Sequence, residues 1–388
     1  MAATVGENLF IGAQVAYWRK RRGKSQRVLA GLAGMSQPYL SQIENGIRPV
    51  DRRATLIALA NALQVSVADL TGKPGDPTDP AKALAASHVP EIREALIRRE
   101  VGEIGAPVGD VEEAMSAGGD YDFTRLAPML PGLLIGLRGP DLVQIAHITS
   151  YTLRDLGYPD LARDAGRLAI TEAYDHGAPE WVGIAEFIRI LTMPPEMPGA
   201  PMRLAQRVAD EIQPHIGDPA VRQAYGMLHL TAGLRAAVVG DRDTAMAHLG
   251  EARESAESMG EPVNLGLARF AFGPTNVGFW SVAMHLELSE PELALEAARS
   301  VHPELVPLAN RQGPFYSDLG TALAQAGHDH EAIAAFLRSE AAGPQWFRLR
   351  PTVKDTIGSI IRRTKRNSLT KQMRSAAAAA NLQQLVND

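Results

Sequence analysis

Residues 25–46 read SQRVLAGLAGMSQPYLSQIENG, a segment that contains two helix starts and two helix ends. Ser25 and Ser36 are favourable N-cap residues, and Gly34 and Gly46 suit the ends of helices. The pattern predicts one helix over residues 26–33 and a second over residues 37–44, joined by a turn of about three residues.

Helical patterns continue on both sides of this segment. An apolar stripe within residues 13–18 predicts a preceding helix that stops at Gly23, and residues 55–63 and 67–70 predict two helices that follow. We expect Leu29 and Leu32 to face the core. Two short helices and a tight turn inside a five-helix unit have the geometry of a helix-turn-helix, so we predict such a domain over residues 1–72.

The spacing of these residues resembles the Xre family of phage-repressor-like DNA-binding domains. The likeness covers residues 9–72 and rests on Ser25-Gln26-(x)2-Leu29-Ala30-(x)3-Gly34-x-Ser36-(x)2-Tyr39-Leu40-Ser41-Gln42-Ile43-Glu44-Asn45-Gly46, with Arg48-Pro49, Thr55-Leu56, Leu59-Ala60, Ala62-Leu63 and Val65-Ser66 after it. Lys24 departs from the family by replacing a usually apolar residue. Pro38 departs from it in the first turn of the second helix, where proline is tolerated because the N–H groups are unpaired. The resemblance implies a DNA-binding domain.

In a helix-turn-helix the second helix enters the major groove and presents its N-terminal residues to base edges. Because Leu40 and Ile43 face the core, the predicted base-reading residues are those on the outer side: Gln37, Pro38, Ser41 and Gln42. A glutamine amide can pair with adenine, and a proline ring can touch a thymine methyl group. The predicted phosphate contacts are Arg19, Gln26, Tyr39, Arg48 and Arg52, with Gln26 taken from the family resemblance. Ordinary surface glutamines are the alternative for Gln37 and Gln42. For Tyr39 we expect the ring to pack while its hydroxyl reaches a phosphate.

Charge is distributed unevenly along the chain, whose net charge is −5. Residues 1–72, the head, carry nine basic and four acidic residues, whereas residues 73–349 carry 22 basic and 38 acidic ones. A basic head on an otherwise acidic chain indicates that the head binds a polyanion. A second basic run, Arg362–Arg366, either pairs with the acidic part of another subunit or is a solvated tail.

Three prolines within residues 73–80 predict a linker. The body, residues 81–388, is rich in alanine and leucine, and turns followed by an alanine recur at intervals of 38 to 49 residues. The five alanines are Ala162, Ala205, Ala245, Ala294 and Ala332. This period is typical of helix pairs stacked as a solenoid and resembles lengthened tetratricopeptide repeats, with a non-repetitive helical domain as the alternative. The predicted fold class is all-α, a five-helix helix-turn-helix domain followed by a tetratricopeptide-like α-solenoid.

Several classes of protein are excluded or disfavoured. The chain has no cysteine, which excludes a disulfide scaffold, a thiolate metal site and a cysteine nucleophile. Common catalytic and phosphate-binding motifs are missing, and the pair His328 and His330 lies at a predicted turn, where a solvated loop is expected. We therefore predict no enzyme activity, no metal and no cofactor. Apolar runs fall far short of the ~20 residues that span a bilayer, so we expect a cytoplasmic protein without a membrane partner.

Three segments of the body, residues 120–131, 156–162 and 272–277, resemble the helical C-terminal half of actinomycete Xre-type regulators. This resemblance implies a transcription regulator. Since one helix-turn-helix reads few base pairs, we expect a homodimer on an inverted-repeat operator in double-stranded DNA. The alternative is a DNA-tethered interaction protein that recruits a partner through its repeats and takes no small ligand.

Residues 269–280 contain four of the 21 aromatic residues of the chain. A helix start at Pro274 places Asn276 and Trp280 on one face, with Arg269 just before the turn. The amide, the aromatic wall and the cation predict contacts to a small-molecule or peptide effector on the concave face of the repeats. The alternative is that the aromatic rings fill the core and Asn276 satisfies a neighbouring backbone group.

Overall fold

The computed structural model describes residues 10–50, 52–65, 67–71, 79–193 and 199–387. Within these ranges all regular structure is helical and no strand occurs, which confirms the all-α prediction. The predicted linker, residues 73–80, lies outside the described residues except for its last two. None of the described helices has both the length and the apolar character needed to cross a membrane.

The head contains the predicted five helices. They are α1 (Phe10–Arg21), α2 (Gln26–Leu32), α3 (Gln37–Glu44), α4 (Arg53–Leu63) and α5 (Val67–Thr71). The hydroxyl groups of Ser25 and Ser36 accept hydrogen bonds from backbone N–H groups near the starts of α2 and α3, at 3.2 and 3.3 Å, so both predicted caps are confirmed. The prediction for Leu32 is wrong, because this side chain is 57% exposed. The buried face of the short helix α2 is formed by Leu29 and Ala30. Leu32 projects from a different side of the helix, which is exposed.

The body begins with five helices that precede the regular stack. They are α6 (Pro80–Ala86), α7 (Val89–Glu100), α8 (Val111–Gly119), α9 (Phe123–Leu126) and α10 (Leu130–Gly136). Ten helices then follow as α11 (Gly139–Leu156), α12 (Pro159–His176), α13 (Pro179–Thr192), α14 (Gly199–Ile212), α15 (Pro219–Val238), α16 (Arg242–Met259), α17 (Pro274–Glu287), α18 (Pro291–Arg299), α19 (Ala309–Gln325) and α20 (Asp329–Ala342). The last four are α21 (Pro344–Arg348), α22 (Pro351–Arg363), α23 (Lys371–Ala379) and α24 (Gln384–Asn387).

Helices α11 to α20 pack as successive hairpins, and the first helix of each hairpin also packs on the first helix of the next. Four of the predicted turns lie between the two helices of a hairpin, before Ala162, Ala245, Ala294 and Ala332. The fifth alanine, Ala205, likewise lies in the second helix of a hairpin, α14, but residues 194–198, which precede this helix, lie outside the described residues. This arrangement agrees with stacked helix pairs, while the likeness to tetratricopeptide repeats stays a prediction.

The two ends of the stack meet. Tyr121, just after α8, stacks on Trp346 of α21 with ring centroids 5.4 Å apart. Arg350, which precedes α22, pairs with Asp155 of α11 at 3.0 Å. One hydrophobic cluster contains residues from both ends, from Ala85 to Ala165 and from Ala324 to Val386. The body is therefore a closed stack, and side chains from α11, α13, α17 and α19 meet in its interior.

Candidate DNA-binding site

Helix α3 has one buried and one exposed side, as its sequence predicts. Leu40 and Ile43 are buried in the core of the head. The predicted base-reading residues lie on the other side: Gln37, Pro38 and Gln42 are exposed, and Ser41 is half-buried. The structure thus leaves three polar side chains and a proline ring on a convex helix surface, an arrangement that fits a major groove. Their contacts with bases stay a prediction.

Arg19 and Gln26, both predicted to contact phosphate, converge on one carboxylate. Arg19 donates from Nε to Glu44 Oε1 at 2.6 Å and from Nη2 to Oε2 at 2.8 Å. Its Nη1 donates to the backbone carbonyl of Lys24 at 3.0 Å, and Gln26 Nε2 donates to Glu44 Oε2 at 2.9 Å. Hydrogen bonding to Glu44 raises the pKa of Arg19. This geometry favours a structural role for Arg19, because all three of its nitrogens already donate inside the head.

Arg48 and Tyr39 lie together beside α3. The Arg48 guanidinium lies over the Tyr39 ring at 4.9 Å from the ring centroid, and Arg48 is exposed. The Tyr39 ring is half-buried and packs against the core of the head, and the phosphate contact of its hydroxyl stays a prediction. Arg48 is therefore the predicted phosphate contact whose surroundings best suit that role, since it is exposed and no carboxylate holds it in the described residues.

Arg52 is directed at the body. Its guanidinium donates to the Ser289 hydroxyl in the turn between α17 and α18. The neighbouring Arg53 pairs with Glu287 at 3.6 Å. In this arrangement Arg52 fastens the head to the body, and its predicted phosphate contact remains untested.

A second contact joins the head to α22. Helix α1 packs on α22, and the Ser359 hydroxyl donates to the Ile47 carbonyl at 3.1 Å. Asp355 is buried at this junction, and burial raises its pKa to about 7 against the opposing effects of Arg362, Lys354 and a backbone hydrogen bond from Ile11. Because the outer side of α3 stays exposed, the head is docked with its candidate reading surface outward.

The predicted effector contacts are placed in different surroundings. Asn276 is fully buried, and its Nδ2 donates to the Phe270 carbonyl at 3.0 Å, so this half of the amide satisfies a backbone group. Arg269 Nη1 lies 3.5 Å from a carboxylate oxygen of Glu112. Trp280 is half-buried and packs edge-on against Phe187 at 6.3 Å. The structure brings Asn276 and Trp280 to the interior, whereas Arg269 is held by α8.

The C-terminal basic run is engaged within its own chain. Arg363 pairs with Asp329, and Arg362 lies near the buried Asp355, where desolvation lowers the pKa of Arg362. These contacts agree with neither alternative drawn from the sequence for these two residues. Asp329 lies between His328 and His330, and the described residues contain no cluster of three or more side chains suited to a metal ion.

Sequence reasoning missed two functional candidates. Glu44 belongs to the quoted motif, but its partner Arg19 lies 25 residues earlier on another helix, so the pair leaves no local signal. Arg311 of α19 donates from Nε to the Phe270 carbonyl at 3.3 Å and thereby joins the Asn276 surroundings. No motif surrounds Arg311 in the sequence, and only the closed stack places it there.

Comparison with known proteins agrees with the geometry of the head. Residues 11–71 match the family described as a helix-turn-helix domain. Over 83 residues the chain is 39% identical to a protein of Cereibacter sphaeroides named propionyl-CoA carboxylase regulator, a match that covers 21% of this chain and 18% of that protein. The chain thus spans less than a fifth of the length of the curated relative that it matches, and no solved structure matches it. The N-terminal part of the chain, residues 11–71, is a helix-turn-helix domain.

Proposed function

We propose that this protein is a sequence-specific DNA-binding transcription regulator of the Xre type that acts in the cytoplasm. The observation that carries the proposal is the exposed side of α3, which presents Gln37, Pro38, Ser41 and Gln42 while the head is docked on the body. Arg48 stands beside this surface as the leading phosphate contact. The regulator named among its relatives supports a regulatory role over the region that the two proteins share.

The proposal includes a homodimer on an inverted-repeat operator. Contacts that include Arg52 to Ser289, Arg53 to Glu287 and Ser359 to Ile47 fix the head to the body, so a dimer formed through the body holds two heads at a defined spacing. Half-sites are then expected ~10 base pairs apart, or a multiple of that distance. In this proposal the body, residues 81–388, also senses an effector, and a change in its packing alters the spacing of the heads.

The experiment is operator selection from random DNA, followed by binding measurements with variants. Gln37→Ala and Gln42→Ala should each weaken binding to the selected operator ~5- to 100-fold and relax the preference at one base pair. Gln213→Ala, an exposed glutamine of the body, is the matched control and should bind like wild type. If both α3 variants bind the operator as tightly as wild type, the proposed reading surface is wrong. Light scattering with and without operator tests the dimer, and a monomer mass in both states contradicts it.

A further inference from the structure

The interior of the body holds the guanidinium of Arg311, which has no carboxylate partner within the part of the chain that the structure describes. Arg311 donates from Nε to the Phe270 carbonyl at 3.3 Å and lies 5.9 Å from the centroid of the Phe270 ring. Among the described residues no ion pair joins Arg311 to an acidic side chain, and desolvation lowers its pKa. It is nevertheless half-buried rather than sealed, so solvent reaches it. Among the described residues its two terminal nitrogens have no hydrogen-bond partner, so they are available to a ligand.

Among the described residues, buried polar atoms without hydrogen-bond partners occur on three of the helices that meet in this interior, α11, α17 and α19. Asn276 Nδ2 also donates to Phe270 O, which fixes the orientation of the amide and leaves Oδ1 buried without a donor. The Tyr151 hydroxyl and Asn310 Oδ1 are likewise buried and unpaired. Asn310 lies close enough to Tyr151 to affect its pKa, but the two side chains form no hydrogen bond of ordinary geometry. Unpaired buried polar atoms are rare in folded proteins, and Asn276 Oδ1, on the amide that is fixed against the Phe270 carbonyl, is placed to accept a hydrogen bond from a ligand.

Aromatic rings line the same region. The Phe270 ring packs edge-on against His147 at 5.0 Å and against Phe187 at 5.2 Å, and Trp280 packs against Phe187. Burial and the charges of Arg311 and Arg154 lower the pKa of His147 to about 3, so His147 is neutral at pH 7. The surroundings therefore combine an apolar wall with uncompensated positive charge.

Strained backbone holds Phe270 in this place. Ala268, Arg269 and Ala271 have φ values of 48°, 55° and 49°, in the left-handed region that residues with a Cβ seldom adopt. Such residues are energetically unfavourable and tend to occur at functional sites. Within this segment the Phe270 carbonyl accepts hydrogen bonds from both Asn276 and Arg311.

We propose that the interior of the body binds a small aromatic carboxylic acid that also carries an O–H or N–H donor. The two terminal nitrogens of Arg311 form a fork that matches a carboxylate. The rings of Phe270 and Trp280 contact the aromatic part, and Asn276 Oδ1 and Asn310 Oδ1 accept from the donor of the ligand. This inference rests on the proposed sensing role of the body and names the chemical class that it senses.

The test is titration calorimetry of the full chain with 4-hydroxyphenylacetate and indole-3-acetate, each compared with its primary amide and with acetate. We expect both aromatic acids to bind, with the amides and acetate at least about 10-fold weaker, because only the acids offer both the carboxylate and the ring. The tripeptide Ala-Ala-Phe carries the same two groups at its C-terminus and separates a free acid from a peptide. Tighter binding of the tripeptide than of either acid overturns the small-acid proposal.

Variants locate the site. Arg311→Gln should weaken the acids ~10- to 100-fold, whereas Arg299→Gln, an exposed arginine on α18, should leave binding unchanged. Arg311→Lys retains the charge without the fork and serves as the second variant if the glutamine variant melts at a lower temperature. If neither acid binds wild type at millimolar concentration, or if wild type, Arg311→Gln and Arg299→Gln bind the acids equally, the proposal fails. Operator binding is measured separately, so acid binding without any change in operator affinity refutes the sensing role and retains the site.

Discussion

Arg19 and Glu44 form a two-pronged ion pair that ties the end of α1 to the end of α3, with N–O distances of 2.6 and 2.8 Å. The side chains are only 12% and 5% exposed, so the pair is largely removed from water. The same carboxylate accepts from Gln26 at the start of α2. Three helices of the head are thus positioned around one negative charge.

Removing Arg19 should destabilise the head. Arg19→Ala leaves a buried carboxylate with one neutral partner, which should cost about 2–3 kcal/mol in the free energy of unfolding of the head. The double variant Arg19→Met with Glu44→Gln, which removes both charges, should recover much of this loss. Chemical denaturation checks both values. An unchanged stability for Arg19→Ala, together with weaker salt dependence of DNA binding, would support the phosphate contact predicted from the sequence.

Arg48 should behave differently. Its guanidinium is exposed over Tyr39, so Arg48→Ala should leave the melting temperature nearly unchanged. Loss of one phosphate contact should lower the slope of log K against log salt by about 1 for operator and random DNA alike. Fluorescence anisotropy at several salt concentrations measures the slope. The same slope as wild type would exclude Arg48 from the interface.

Gly12 permits the close approach of α1 to α3. A Cβ at this position would lie 2.2 Å from the Ile43 carbonyl oxygen, which belongs to a backbone that cannot give way cheaply. Gly12→Ala should therefore destabilise the head by ~1–3 kcal/mol and weaken operator binding. Gly31→Ala is the matched control on α2, where a Cβ meets nothing within 4 Å, and it should be neutral or stabilising by up to about 1 kcal/mol. Equal stability of the two variants would show that the two helices do not pack in this way.

Asp355 should make stability depend on pH. Its pKa is about 7 in the folded protein, above the ordinary value of 3.8, so the folded state holds this proton to a higher pH than the unfolded state does. Stability should therefore fall as pH rises from about 4 to 7 and level off above that range. Asp355→Asn removes the penalty and should raise the melting temperature by about 2–5 °C at pH 8 and by less at pH 5. Glu257→Gln, an exposed control, should show no such difference. An equal gain for Asp355→Asn at both pH values would place the carboxyl in water.

Local chemistry explains what could be predicted from the sequence. The caps Ser25 and Ser36 act within three residues along the chain, and α3 has the predicted bounds of residues 37–44. Contacts between distant residues left no such signal. The sequence predicts phosphate contacts for Arg19 and Arg52, because the partner of Arg19 lies on another helix and Ser289 lies 237 residues from Arg52.

The interior of the body shows the same limit. The aromatic segment, residues 269–280, marked a region of interest from composition alone. The sequence could not show that Asn276 has one amide atom satisfied and the other unpaired, because that depends on the path of the strained backbone at Phe270. Arg311 lies on α19, and only the closure of the stack brings it to Phe270.

Closure of the stack also bears on how the chain is made. Gln345 donates to Asp122 at 2.9 Å across 223 residues of sequence, and the Tyr121–Trp346 stacking lies beside it. During synthesis the early helices of the body leave the ribosome long before the residues that cover them. Contacts of such long sequence separation form slowly, because the ends of a long loop must first come together. The nascent body therefore exposes the apolar surface around Tyr121 until α21 has left the ribosome, and in that interval the surface is open to aggregation.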